Sequence, residues 1–296
     1  MTETLAIAIA QINPTVGDVA GNLALVRDAR AEAAKLGADL VVTGELALCG
    51  YPPEDLVLKL SFQDRIEDAV KTLAAETDDG GPAVLTGAPW REQGKLYNAA
   101  LLLDGGAVQV VRLKHELPNY GVFDEKRLFA QGPLPGPVPF RGARLGVMVC
   151  EDMWFEDVTE CLDESGAEML IVLNGSPYDI EKSDQRLTYA VARVTESGLP
   201  LLYANLVGGQ DELVFDLDPR RRGLPARAGG DRPRPRRYGI NLPRHGAGPA
   251  RLCEQERLSR RGSGPVRRRG LGAVRRRRGR RPGCGPCADR DDALAL

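Results

Sequence analysis

The chain of 296 residues balances 40 Lys and Arg against 41 Asp and Glu and holds six cysteines but only two histidines. No apolar run nears the roughly 20 residues of a membrane span, Met1-Thr-Glu-Thr4 lacks the basic start of a secretory leader, and the cysteine spacing is too irregular for a disulfide framework, so a cytoplasmic protein with reduced thiols is expected. The near-neutral total conceals two opposed segments, because residues 1–216 hold 17 basic and 34 acidic side chains whereas residues 217–296 hold 23 Arg, no Lys and 7 acidic ones, an asymmetry that marks parts of different nature.

Leu5 to Gln11 is short, apolar and closed by Asn13-Pro14, which predicts a buried strand. Asn22 is placed to cap a helix through Leu36, with apolar residues at Leu23, Val26, Ala29, Ala33 and Leu36 and Gly37 as its stop. Leu40 to Thr43 reads as a second strand that delivers Glu45 into a loop, since Gly50-Tyr-Pro-Pro53 continues neither strand nor helix. Glu54 to Ala75 is helical in pattern with a break near Ser61, and Ala83 to Gly87 is a strand. Leu96 to Leu103 and Ala107 to Leu113 form a hairpin about Asp104-Gly-Gly106 that delivers Lys114.

Pro118 to Gly136 is a long loop rich in Gly, Pro and aromatics. Leu145 to Val149 is an apolar strand, Asp152 to Leu162 an acidic amphipathic helix, and Cys150 the turn between them, where a helix N-terminus and a nearby cation favour a thiolate. A strand from Met169 to Leu173, a helix from Ser183 to Ser197 and strands at Leu201–Asn205 and near Leu213–Phe215 complete the pattern. Strands alternating with helices indicate an α/β fold; pattern alone suggests a doubly wound sheet.

Glu45, Lys114 and Cys150 each leave the end of a separate strand and supply a base, a cation and a nucleophile, a working set for acyl transfer. Taken singly, each has a plainer reading as a strand-end charge or a core cysteine. The words around them, Gly44-Glu-Leu-Ala-Leu-Cys-Gly-Tyr-Pro-Pro-Glu-Asp-Leu56, Lys114-His-Glu-Leu-Pro-Asn-Tyr-Gly-Val-Phe-Asp-Glu125 and Cys150-Glu-Asp-Met-Trp154, resemble the catalytic segments of the nitrilase, or carbon–nitrogen hydrolase, superfamily. With Gly208-Gly-Gln-Asp-Glu-Leu-Val-Phe-Asp216 they are similar to the glutaminase domains of glutamine-dependent NAD synthetases.

That resemblance implies a four-layer α-β-β-α sandwich in place of a doubly wound sheet, assembled as a homo-oligomer and acting on L-glutamine. It implies Cys150 as nucleophile, Glu45 as proton acceptor, Lys114 and the Glu151 N–H as oxyanion donors, and Tyr120, Ser176 and Lys182 as holders of the substrate. No cofactor is implied for the glutaminase half; ATP and Mg belong to a synthetase domain that this sequence lacks.

The resemblance ends at Asp216, leaving residues 1–216 as the hydrolase domain without its closing strands. Residues 217–296, rich in Arg, Gly, Pro and Ala with no Lys or Thr, read as a GC-rich coding sequence translated out of frame, and are expected to be disordered. The rival reading takes Arg267-Arg-Arg269 and Arg275-Arg-Arg-Arg278 as an arm that binds nucleic acid without sequence choice. Such an arm would lack aromatic stacking, since Tyr238 is the only aromatic after Phe215. A stand-alone amidase acting on another small amide is the enzymatic alternative, and a non-catalytic protein with that basic tail the other.

Overall fold

The computed structural model describes residues 4–176, 182–207 and 236–241. Two sheets lie face to face. The first is formed by β1 (Thr4–Ile9), β2 (Leu40–Val42), β3 (Ala83–Glu92), β4 (Lys95–Asp104), β5 (Ala107–Leu113) and β10 (Arg236–Asn241), in the order β10-β1-β2-β3-β4-β5. The second is formed by β6 (Val138–Phe140), β7 (Ala143–Val149), β8 (Met169–Asn174) and β9 (Leu201–Asn205), in that order. Strands β1, β2 and β3 run parallel, as do β7, β8 and β9, and hairpins or antiparallel neighbours extend both sets.

Period-two alternation decides which face each residue buries. Leu40 and Val42 enter the core between the sheets with Leu145, Val147, Val149, Ile171 and Leu173, while Val41 faces the helices. On the outer side of the second sheet, Met148, Leu170 and Val172 pack with Val158 and Leu162. Helices α1 (Val19–Lys35) and α2 (Leu60–Glu76) cover the first sheet, and α4 (Glu156–Glu164) and α5 (Lys182–Ser197) the second, with α3 (Glu125–Leu128) a single turn in the long loop. A sheet covered on both faces requires strands without polar alternation, which is why β2, β7 and β8 read as continuous apolar runs. The four-layer α-β-β-α sandwich is therefore the architecture, and the doubly wound alternative is set aside.

Several local expectations are corrected. Helix α1 begins at Val19, capped by the Asp18 carboxylate, which accepts from the Gly21 N–H at 2.9 Å. Asn22 is buried instead, accepting from the Thr15 N–H at 2.7 Å and donating to the Thr15 carbonyl at 2.8 Å, so it anchors the loop after β1. The break before α2 falls at Lys59, after a 3-10 turn over Glu54–Leu58. Strand β3 runs on to Glu92 and turns into β4 through Gln93 and Gly94, both at positive φ (50° and 73°), the signature of a tight hairpin.

The expected strand near Leu213–Phe215 lies outside the described residues, as do residues 217–235 and 242–296. Within the Arg-rich segment, however, Arg236–Asn241 forms β10, antiparallel to β1 with Thr4 opposite Asn241 and Ile9 opposite Arg236. The outer edge of β1 is thus paired. Main-chain groups make those bonds, so an unpaired edge recruits a strand with little regard to its side chains. Among the described residues no helix is long and apolar enough to cross a membrane.

Candidate active site

Glu45 comes after β2 in a tight loop that presses onto the neighbouring strand. A Cβ on Gly87 would stand 2.3 Å from the Leu46 nitrogen, so only glycine on β3 lets this loop pack so closely. The Glu45 N–H donates to the Asn174 carbonyl at 3.3 Å, which ties the loop to the end of β8 in the other sheet. Lys114 leaves β5 with its N–H on the Asn98 carbonyl at 2.8 Å. Its Nζ lies 2.7 Å from Glu45 Oε1 and 2.8 and 3.0 Å from the two oxygens of Glu125, and all three side chains are buried.

Asn98 Nδ2 donates to the same Glu45 oxygen at 2.8 Å. Glu45 Oε1 is therefore held twice, while its Oε2, equally buried, has no hydrogen-bond partner among the described residues. Burial would drive the proton off Lys114, but Glu125 and Glu45 together outweigh it and hold the ammonium well above the usual lysine range. Burial likewise pushes the Glu125 carboxyl up, with the Lys114 charge opposing. Such a buried ion cluster costs much of its attraction in desolvation, so its presence points to chemistry more than to stability.

Cys150 ends β7 at φ 47°, the left-handed region that non-glycine residues seldom occupy. The segment beyond it differs from expectation: Cys150–Met153 is one 3-10 turn, and α4 starts only at Glu156. The thiol therefore lacks a long helix behind it. Burial first, then the charge of Glu45, push it well above its ordinary pKa, and Lys114 only partly offsets them. The push toward thiolate expected of this turn is outweighed, and the thiol needs a base at the moment of reaction, in keeping with the part expected of Glu45 as proton acceptor.

Asp152 fixes this turn. Its Oδ1 accepts from the N–H groups of His115 and Glu116 at 3.0 and 2.7 Å, and its Oδ2 from the Val149 N–H at 2.9 Å, so one carboxylate joins the residues after β5 to the end of β7. Burial raises its pKa to about 6 despite those donors. The folded state thus holds this proton more tightly than the unfolded chain, and the group's contribution to stability is complete below about pH 4 and lost as pH rises through about 6. Asp152→Asn should cost roughly 1–3 kcal/mol by leaving a buried N–H without an acceptor. The cost should be greater at pH 4.5 than at pH 7.5, because only the wild type has that titration to lose; urea unfolding at the two pH values measures it.

The other expected residues are placed unevenly. Tyr120 is half exposed, and its hydroxyl donates to the Glu151 carboxylate at 3.0 Å. The Ser176 hydroxyl is buried just past the end of β8 without a hydrogen-bond partner among the described residues. Lys182 opens α5, but its side chain lies outside the described residues. His115 turns its ring to the Gly132 carbonyl at 2.7 Å, away from the Lys114 cluster. Sequence reasoning assigns no part to Glu125, Asn98 or Asp152. Asn98 does carry a signal, a lone amide between Leu96 and the apolar run Ala99 to Leu103, since a buried polar group needs a partner.

A two-sheet α/β fold whose strand ends enclose a thiol, a carboxylate and an ammonium defines a thiol-dependent hydrolase. The chain belongs to the carbon–nitrogen hydrolase family, whose model matches residues 6–218. It is 47% identical over 216 residues to a glutamine-dependent NAD(+) synthetase of Rhodobacter capsulatus, covering 73% of this chain and 39% of that protein. The solved glutamine-dependent NAD+ synthetase of Acinetobacter baumannii superposes with a TM-score of 0.67 at 33% identity, over 71% of this chain and 40% of that one. A mutant amidase of Nesterenkonia sp. with acrylamide added at its active site cysteine superposes with a TM-score of 0.60 at 28% identity, over 69% of this chain and 79% of that one. The chain thus spans about two fifths of the length of the two synthetases.

Proposed function

We propose that this chain hydrolyses the side-chain amide of L-glutamine through a Cys150 thioester, releasing the ammonia used in NAD biosynthesis. The observation that carries the reading is the division of labour on Glu45: Lys114 and Asn98 hold one oxygen, and the other is buried with no partner among the described residues to compete for a proton. As Cys150 Sγ attacks the amide carbon, Glu45 Oε2 takes the thiol proton. The carbonyl oxygen becomes an oxyanion that Lys114 and the Glu151 N–H stabilise. The C–N bond then breaks as Glu45 returns the proton to nitrogen, and ammonia leaves a thioester. Water, activated by the same carboxylate, attacks the thioester carbon and frees glutamate and the thiol.

Glu125 adds a second negative partner that keeps Lys114 charged and fixed within reach of that oxygen. Tyr120, Ser176 and Lys182 are proposed to hold the amino acid. The similarity to synthetases supports glutamine, and the amidase likeness supports a thiol nucleophile. Ammonia and glutamate release from glutamine, compared with release from butanamide, is the test; faster turnover of butanamide would make the protein a simple amidase.

An electrophilic glutamine analogue should modify Cys150 at least about tenfold faster than Cys49 or Cys161, as mass spectrometry of the digested protein would report. All three thiols are buried, and burial also pushes Cys49 well up, so burial alone gives Cys150 no advantage. Equal labelling would mean that Glu45 does not activate Cys150.

A further inference from the structure

Asn98 stands where the charged residues of the cluster meet. On β4 it lies one rung beyond the Ala99–Leu113 pair of the β4–β5 ladder; its carbonyl accepts from the Lys114 N–H at 2.8 Å, and its Nδ2 donates to Glu45 Oε1 at 2.8 Å. One wholly buried residue thus fixes the backbone of the cation and the side chain of the base. Burial pushes the Glu125 carboxyl up, and the same amide joins Lys114 in opposing that rise. Asn98 carries no charge, so it does this without altering the balance of one ammonium against two carboxylates.

Lys114 does not by itself decide which Glu45 oxygen stays free. An ammonium on a flexible stem turns its donors freely, and a carboxylate offers it two equivalent oxygens. An amide on a strand is more restricted, because only its NH2 edge can face a carboxylate, and here that edge is directed at Oε1. The amide oxygen is left without a hydrogen-bond partner among the described residues, so the carboxylate alone sets how the amide is turned. With Lys114 at 2.7 Å and Asn98 at 2.8 Å, the donors gather on Oε1. On the other side Gly175 presents no side chain to Oε2, where an added Cβ would stand 3.2 Å away. Without Asn98 the ammonium would be free to bridge both oxygens and mask the one that has to accept the thiol proton.

We propose that Asn98 is a positioning residue that keeps Oε2 of Glu45 free for the Cys150 thiol by committing Oε1 to Lys114. This rests on the reading of Glu45 as the base and adds the residue that directs it. The test uses the full chain as wild type, Asn98→Leu, Asn98→Asp, Glu45→Gln, and each Asn98 substitution combined with Glu45→Gln. Two rates are measured: ammonia release from glutamine, and alkylation of Cys150 by 2-iodoacetamide, followed by mass spectrometry of the digested protein. Alkylation requires the thiol proton to be removed, but no oxyanion to be held and no leaving nitrogen to be protonated.

Asn98→Leu should lower kcat and the alkylation rate together by roughly 10- to 100-fold, the loss of one hydrogen bond to a charged group, with KM within about twofold. Added to Glu45→Gln, it should lower either rate by less than about twofold further, because residues that act as one unit do not lose their effects independently. Asn98→Asp keeps the size of the side chain, sets a carboxylate against Oε1 and should lose at least as much; it carries the test should the Leu variant fail to fold. Losses that multiply across the two backgrounds would make Asn98 a packing residue, and unchanged alkylation would mean that it does not act through the base; either overturns the proposal. Alkylation of Glu45→Gln at the wild-type rate overturns Glu45 as base and this inference together. Slow alkylation of Glu45→Gln beside wild-type alkylation of Asn98→Leu overturns this inference alone.

Discussion

Cys150→Ala should reduce ammonia release from glutamine on the order of 10⁴-fold or more while leaving thermal unfolding nearly unchanged. Removal of a nucleophile that acts as one unit with its base costs nearly the whole catalytic effect, because the remaining groups have nothing to activate. The structural cost is small by contrast. Alanine faces the same left-handed backbone at φ 47° that cysteine already tolerates, and only one sulfur is lost from the core between the sheets. Stability within about 1 kcal/mol of wild type is expected. Retention of even a tenth of the activity would move the nucleophile elsewhere, with Cys49 and Cys161 the remaining described thiols.

Lys114→Met should damage the protein in two separable ways. Methionine fills much of the same volume but removes the positive charge between Glu45 and Glu125, leaving two buried carboxylates without compensation. Breaking a buried ion cluster in this way costs roughly 3–5 kcal/mol. Activity should fall at least on the order of 100- to 1000-fold from loss of the oxyanion donor.

The sign with pH is set by Glu125. Its carboxyl is already raised by burial and held down by Lys114, so the variant raises it further. The folded variant then binds a proton that the unfolded chain releases near the ordinary glutamate pKa of about 4.3, and its stability drops steadily as pH climbs above that value. Urea unfolding of the variant at pH 5 and pH 8 measures the slope. Adding Glu125→Gln to Lys114→Met should recover part of the stability and none of the activity. Full stability in the single variant would show that the cluster carries no buried charge.

The site's three chief residues are legible in the sequence because each interrupts an apolar run: Glu45 after Leu40 to Gly44, Lys114 after Ala107 to Leu113, and Cys150 after Leu145 to Val149. An abrupt end to a buried strand is a strong local signal. Glu125 is not legible as a functional group because it lies in the long loop after Leu117, where no periodicity tells an inward carboxylate from a solvated one. Asn22 misleads for a different reason. The side chain that favours a helix cap also satisfies buried main-chain groups, and only the packed loop at Thr15 decides between the two.

The charge state of Cys150 is misleading in the sequence because acidic residues at Asp152, Glu156 and Asp157 resemble a single helix start. In the fold they are divided between a 3-10 turn and α4. The layer arrangement is legible only through the family resemblance, since alternating strands and helices fit one wound sheet as well as two stacked ones. Strand β10 is not legible at all, because the pairing that defines it belongs to the backbone of β1.

The distribution of the reacting groups between two sheets bears on how the protein comes into being. Glu45 and Lys114 belong to the sheet whose central strands come first in the chain, and Cys150 to the sheet built afterwards. Asp152 and Asn174 are the rivets between them, one gripping the backbone at His115 and Glu116, the other that of Glu45. During synthesis the first sheet can form with its base and ammonium in place and still be inert, with no nucleophile to deprotonate. A nascent chain with only the second sheet ordered carries an unassisted thiol. Catalytic competence would consequently require both sheets, because the proposed base and the proposed nucleophile come from different ones.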